Sequence, residues 1–194
     1  MIHFVTFIIP TIGRQTLMRT LSSLCEQTDP DWAAIVIGDN VSTQLISSDW
    51  WGAEKQRNIY TLNLPSKLGH DNVAACVRNV GLSFAVSEWI ASLDDDDTVT
   101  PDYVERLKAE CNDLDLIHFR AEMENGVDLR PPLGNFGFSA GNVCNAFCFR
   151  REFARDHKLA FIDGTSEDWL TVKAFIGAGA RAKMSESITY RIRH

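Results

Sequence analysis

Short apolar runs alternate along the chain with stretches in which apolar residues recur every three or four positions. Phe4 to Ile9 is a run ended by Pro-Thr-Ile-Gly, as expected of a buried strand that enters a loop. Leu17, Leu21 and Leu24 then repeat at helical spacing, and Ala33 to Ile37 forms a second run closed by Gly38-Asp39-Asn40. Asn58 to Leu62 reads as a third strand. Val73, Val77, Val80 and Phe84 mark one face of a helix, and Trp89 to Leu93 is the next buried strand. Thr100-Pro101 predicts a helix start with a capping hydroxyl and proline in the first position, followed by Val104, Leu107 and Cys111 on one face. Leu114 to Phe119 is a strand, after which glycines and prolines punctuate a long irregular stretch of the kind that usually carries function. A strand from Ala146 to Phe149, a helix from about Ser166 with Trp169, Val172, Phe175 and Ile176 on its buried side, and two short end strands complete the prediction. The alternation implies an α/β fold, a single Rossmann-like domain over residues 1–194 with a mostly parallel central sheet flanked by helices.

Composition narrows the class. The chain has 194 residues, 45% hydrophobic and 23% charged, as in an ordinary globular domain. Its formal net charge of −7 argues against a nucleic-acid partner, which needs a basic footprint, but not against a nucleotide. The five cysteines are odd in number and scattered, and suit packing in a reducing compartment; Cys144 and Cys148 lack a second pair at metal-finger spacing. The apolar start ends at Pro10, too early for a membrane span or signal peptide, so no transmembrane segment and a cytoplasmic location are expected.

The candidate chemistry sits where strands end. Asp94-Asp95-Asp96-Asp97 follows an apolar strand and precedes a helix, the edge at which open α/β sheets bind ligands. Adjacent carboxylates repel one another and favour a hard cation, Mn²⁺ or Mg²⁺. Arg78 is expected to approach this loop, where its planar fork can meet a diphosphate and a carboxylate. Because no buried structural pair is expected for it, its loss should leave the fold largely intact. Asp39 is either a turn aspartate or an acceptor for the imide hydrogen of uracil or thymine. Glu167 and Asp168 are either first-turn charges favoured by the helix dipole or catalytic carboxylates. Trp169 is core or a sugar-stacking platform.

Together these segments resemble glycosyltransferase family 2, inverting nucleotide-sugar transferases of GT-A fold, over nearly the whole chain. Phe7 to Arg14, with Pro10, Thr11, Gly13 and Arg14, is similar to the family's opening strand and nucleotide loop. The resemblance implies that Asp39 meets the base and that the stretch from Lys67-Leu68-Gly69 to Arg78 reaches the donor phosphates. Asp94 to Asp96 match the Asp-x-Asp signature, with Asp96 and Asp94 as metal ligands and Asp94 and Asp95 near ribose or metal. Glu167-Asp168 match the acidic pair whose second carboxylate is the general base. Two features depart from the family pattern: one aspartate rather than two follows the second strand, and the chain ends at His194 where family members commonly continue.

The function so implied is hexosyl transfer from a UDP- or dTDP-sugar to a hydroxyl of a glycan or other acceptor. Residues 1–97 form a nucleotide-binding half and 98–194 an acceptor and sugar half, with the segment 137–145 in the latter site. The alternatives are a sugar-phosphate nucleotidyltransferase and a non-catalytic nucleotide-sugar binding module.

Overall fold

The computed structural model describes residues 2–43, 58–70 and 73–193. The first apolar run becomes β1 (Val5–Thr11), buried along its whole length, and the second becomes β2 (Trp32–Asp39), likewise buried. Side chains alternate across a strand, so unbroken burial means that both faces are covered. β3 (Ile59–Leu64), β4 (Trp89–Ser92), β5 (Thr98–Val99), β6 (Leu116–Glu122), β7 (Leu129–Arg130), β8 (Phe147–Arg150) and β9 (Ala182–Arg191) complete the strands. They join one sheet in the order β3-β2-β1-β4-β8-β6-β9-β5, with β7 beside β6. Pairing is parallel from β3 through β2 and β1 to β4, and mixed beyond, where β8 runs antiparallel to both β4 and β6.

Helices α1 (Leu17–Cys25) and α3 (Tyr103–Glu110) cover one face, packing on Phe7, Ile9, Trp89 and Phe119. Helices α2 (Ala75–Phe84), α4 (Arg151–Asp156) and α5 (Glu167–Gly177) cover the other, over Ile8, Ile37, Phe147 and Phe149. Leu17, Leu21 and Leu24 are all buried, as their spacing requires. Four of the five cysteines are buried free thiols, and Cys76 is exposed. Among the described residues no helix is long and apolar enough to cross a membrane.

Several expectations are corrected. The chain's last element is one ten-residue strand, β9, not two short ones. Its polar centre Ser185-Glu186-Ser187 interrupts the apolar pattern, but both serine hydroxyls are satisfied by Glu110. α3 begins at Tyr103, and Pro101 lies in the preceding turn; the Thr100 hydroxyl donates to Asp102 Oδ1 at 2.6 Å instead of capping the helix. α5 leaves Ile176 exposed. α2 is rotated from the predicted face: Ala75, Val77, Arg78 and Gly81 are buried and Phe84 is exposed. Gly81 explains that rotation, because a Cβ there would lie 2.7 Å from Ile8 Cγ2 and 2.8 Å from Ile37 Cδ1. Only glycine lets the helix approach the sheet closely enough to bring Arg78 against the end of β4.

Pro10 sets where the chemistry begins. Ile8 is in register with Ser92, and its carbonyl accepts Leu93 N–H at 3.1 Å. The next rung would need the N–H of residue 10, which proline lacks. The β1–β4 ladder therefore stops, and the chain after Leu93 leaves the sheet as an acidic turn.

Candidate active site

At the carboxyl ends of β1, β2 and β4 lies a cleft of about 730 Å³. Pro10, Thr11, Arg14, Asp39, Lys67, Arg78, Asp94, Asp95, Asp96, Glu167 and Asp168 line it, so nearly all the predicted residues converge. Gly13 is not on the wall; at φ +87° it makes the turn that places Arg14 there. The segment 137–145 does not line this cleft either. A second cleft, about 410 Å³, lies towards the amino ends of β1 to β3 among His3, Tyr60 and Phe84. None of the described residues that line it is a carboxylate, so the carboxylates able to carry acid–base or metal chemistry gather in the first.

Asp94 to Asp97 form a tight turn closed by Asp97 N–H donating to the Asp94 carbonyl at 3.2 Å. The turn sorts the four side chains. Asp95 points inward and accepts from the Thr11 hydroxyl at 2.5 Å and from Arg14 Nη1 at 3.1 Å. Asp94, Asp96 and Asp97 can each offer an oxygen within 4.8 Å of the others. Such an all-oxygen donor set fits Mn²⁺ or Mg²⁺. Asp97, which the Asp-x-Asp signature does not include, is buried. It accepts from the Tyr190 hydroxyl and from Arg193 N–H, both at 2.9 Å. Tyr190 in turn receives Asp94 N–H at 3.3 Å, tying the acidic turn to β9. No local sequence signal links Tyr190 to Asp97; the contact spans most of the chain.

Asp39 is buried, and its two carboxylate oxygens accept the N–H groups of Leu68 and Gly69 at 2.6 and 2.9 Å. It therefore builds the Lys67-Leu68-Gly69 turn. Gly69 fits because a Cβ would sit 2.9 Å from Asp39 Oδ2. Lys67 is left exposed at the cleft rim.

Arg78 reaches the acidic turn as expected, but it does so as part of a buried ion-pair cluster. Its side chain is 4% exposed, and the guanidinium is held between Asp94 and Glu167. It is thus the buried structural pair that the sequence did not suggest, and it joins the acidic turn to the start of α5. Opposed carboxylates hold its charge in place, with a pKa raised further above the usual arginine range despite burial. Glu167 is also engaged by Ala74 N–H at 3.2 Å. The Asp168 side chain makes no hydrogen bond among the described residues and opens onto the cleft. Trp169 is half-buried and packs against the core on the α2 side of the sheet.

Burial pushes the carboxyls of Asp168 and Asp97 up to about 7; nearby Arg78 opposes the shift at Asp168, and the charge of Asp94 adds to it at Asp97. Both values lie above the ordinary 3.8, so the folded state holds protons that the unfolded chain has shed. The associated stability is complete below the ordinary value and is lost as pH rises through about 7. Carboxylates held low, such as Asp115 and Glu110, have completed their opposite contribution by about pH 5, and buried His118, pushed down to about 4, opposes the two aspartates only up to its ordinary 6.5, one group against two. Cation-free protein should therefore melt at a lower temperature at about pH 8 than at about pH 5.5. Scanning calorimetry in a chelator checks this, and a melting temperature that climbs across that range would contradict the assignment.

Residues 6–165 match the family model described as Glycosyl transferase family 2. The uncharacterized glycosyltransferase YwdF of Bacillus subtilis (strain 168) is 29% identical over 120 residues, 61% of this chain and 42% of that protein. The putative colanic acid biosynthesis glycosyl transferase WcaA of Escherichia coli (strain K12) is 32% identical over 102 residues, 50% of this chain and 34% of that one. The chain thus spans less than half the length of these relatives. Among solved structures, S. aureus TarS 1-349 in complex with UDP-GlcNAc superposes with a TM-score of 0.76 at 21% identity, covering 96% of this chain and 57% of TarS 1-349. The mannosyltransferase PcManGT from Pyrobaculum calidifontis, in complex with GDP-Man and Mn²⁺, gives 0.72 at 15%, covering 98% and 57%. At these identities the structural likeness speaks to the fold.

Proposed function

The chain belongs to glycosyl transferase family 2, and from that premise we propose that it moves a sugar from a nucleoside diphosphate donor to an acceptor hydroxyl with inversion, aided by a divalent cation. One arrangement carries this reading: Asp94 and Asp96 share a cleft with Asp168, while Glu167 is withdrawn onto Arg78. Only one member of the acidic pair is then uncommitted, which suits a single general base. Asp168 accepts the acceptor's hydroxyl proton as that oxygen bonds to the anomeric carbon. The bond from that carbon to the donor phosphate oxygen breaks, and its electron pair leaves with the nucleoside diphosphate. A single displacement inverts the carbon.

Asp94, Asp96 and Asp97 would hold the cation, which when bound supplies charge neutralisation for the departing diphosphate. Arg78 keeps Asp94 and Glu167 in place. Asp39 retains lone pairs that can accept an imide N–H while it holds the Leu68-Gly69 turn. The UDP-GlcNAc of the TarS neighbour supports a UDP-sugar donor, and the Mn²⁺ of the PcManGT neighbour supports a cation requirement. Buried free thiols suit a reducing, cytoplasmic compartment.

Calorimetric titration of UDP in Mn²⁺ and in chelator tests the reading. Affinity should depend on the cation, because a diphosphate beside several carboxylates is otherwise repelled. Asp96→Asn should weaken the cation-dependent binding by about tenfold or more. Equal affinity in chelator and Mn²⁺ would reject the metal site.

A further inference from the structure

Arg14 stands against the carboxylate that the proposed cation needs. Its Nη1 donates both to Asp95 Oδ1, at 3.1 Å, and to Asp96 Oδ2. The loop that presents it is clamped: Gly13 N–H donates to Thr11 Oγ1 at 3.0 Å, and that hydroxyl donates to Asp95 at 2.5 Å. The cleft therefore contains two arginines in different situations. Arg78 is sealed into the wall between its two carboxylates, whereas the Arg14 side chain is 41% exposed and makes no other hydrogen bond among the described residues.

A second contact separates positioning from neutralisation. Arg19 Nη2 donates to the backbone carbonyl of Asp96 at 2.6 Å and to that of Arg193 at 2.6 Å. Thr20 Oγ1 donates to the Asp97 carbonyl at 2.7 Å. The acidic turn is thus fixed through its backbone by α1 and does not depend on Arg14 for its shape. What Arg14 contributes is a positive charge and a hydrogen bond on Asp96, and a divalent cation on the same carboxylate must overcome both.

We propose that Arg14 is a displaceable counter-ion of the metal site: it neutralises Asp96 in the cation-free protein and so disfavours binding of a bare cation. Firm cation binding then waits for the donor diphosphate, which enters as a cation complex and offers the guanidinium an anionic partner. The proposal rests on the metal reading given above and adds the residue that makes occupancy of the site conditional on the nucleotide.

Mn²⁺ affinity of the full chain, read by calorimetry or by the paramagnetic resonance signal of free Mn²⁺, tests it without any activity measurement. Without nucleotide, Arg14→Met should bind Mn²⁺ about tenfold more tightly than the unaltered protein, because a competing charge is gone. Arg14→Lys, which keeps the charge but not the planar fork, should fall between the two. With UDP present the difference should shrink. By linkage, the factor by which UDP improves Mn²⁺ affinity should be smaller in Arg14→Met than in the unaltered protein. The double variant Arg14→Met/Asp96→Asn should lose the gain.

Unchanged or weaker Mn²⁺ binding by folded Arg14→Met would overturn the proposal and make Arg14 a positioning residue. If Arg14→Met fails to fold, the same comparison is made with Arg14→Gln, which keeps a donor without the charge. Absence of Mn²⁺ binding in every protein, with and without UDP, would instead remove the metal reading, and the proposal with it.

Discussion

The Asp168→Asn protein is expected to bind the nucleotide donor almost normally and to transfer sugar about 10²–10⁴-fold more slowly. The amide cannot accept the hydroxyl proton. Glu167, the adjacent carboxylate, is committed to Arg78 and to Ala74 N–H. Residues next to one another on a helix point about 100° apart, so Glu167 cannot simply turn into the role. If Asp168 were only a first-turn charge on α5, its amide would cost less than about 1 kcal/mol of stability and leave turnover almost unchanged. Transfer to an acceptor, with donor binding measured in parallel, separates the outcomes; near-normal transfer would remove Asp168 as the base. Because burial pushes its carboxyl up to about 7, turnover should also rise with pH as that group ionises. A bound cation favours the carboxylate and should move that limb to lower pH.

Arg78→Ala should destabilise the fold by about 3–5 kcal/mol, the usual cost of removing one partner from a buried charge cluster. Asp94 and Glu167 would lose their shared partner, leaving them close to Asp168 and Asp97 with one cation fewer. The same change removes the positive charge that opposes the rise in the Asp168 pKa, so more of the base is protonated at neutral pH and turnover falls as well. Arg78→Lys keeps the charge but cannot bridge two carboxylates, and should recover only part of the loss. The stability deficit should narrow as pH falls, since protonated carboxyls no longer repel. A melt within about 0.5 kcal/mol of the unaltered protein, the range of an ordinary surface substitution, would show that the bridge contributes little.

The sequence alone determined the frame of this protein. Apolar runs of strand length alternating with helical repeats specify an α/β sheet, and β1, β2, β4 and α1 appear close to where those patterns place them. The candidate chemistry was legible because it follows strand ends: Thr11, Asp39 and Asp94 each come as an apolar run stops, and parallel strands bring those ends to one edge. The family's motifs added the acidic pair at the start of α5.

Tertiary structure decided how those groups share their charges. Nothing near Glu167 or Asp168 in the chain says which one Arg78 takes, because the Arg78–Glu167 contact spans 89 positions. The rotation of α2 depends on Gly81 meeting Ile8 and Ile37 across the sheet, a fit that helical periodicity does not report. Tyr190 on Asp97 and Arg14 on Asp96 are likewise contacts between segments 93 and 82 residues apart. Periodicity records which side of an element is apolar, a property of neighbours in the chain. The partner of a buried charge is chosen by whichever opposite charge the packed elements bring within hydrogen-bond distance, since leaving it alone in low dielectric is too costly.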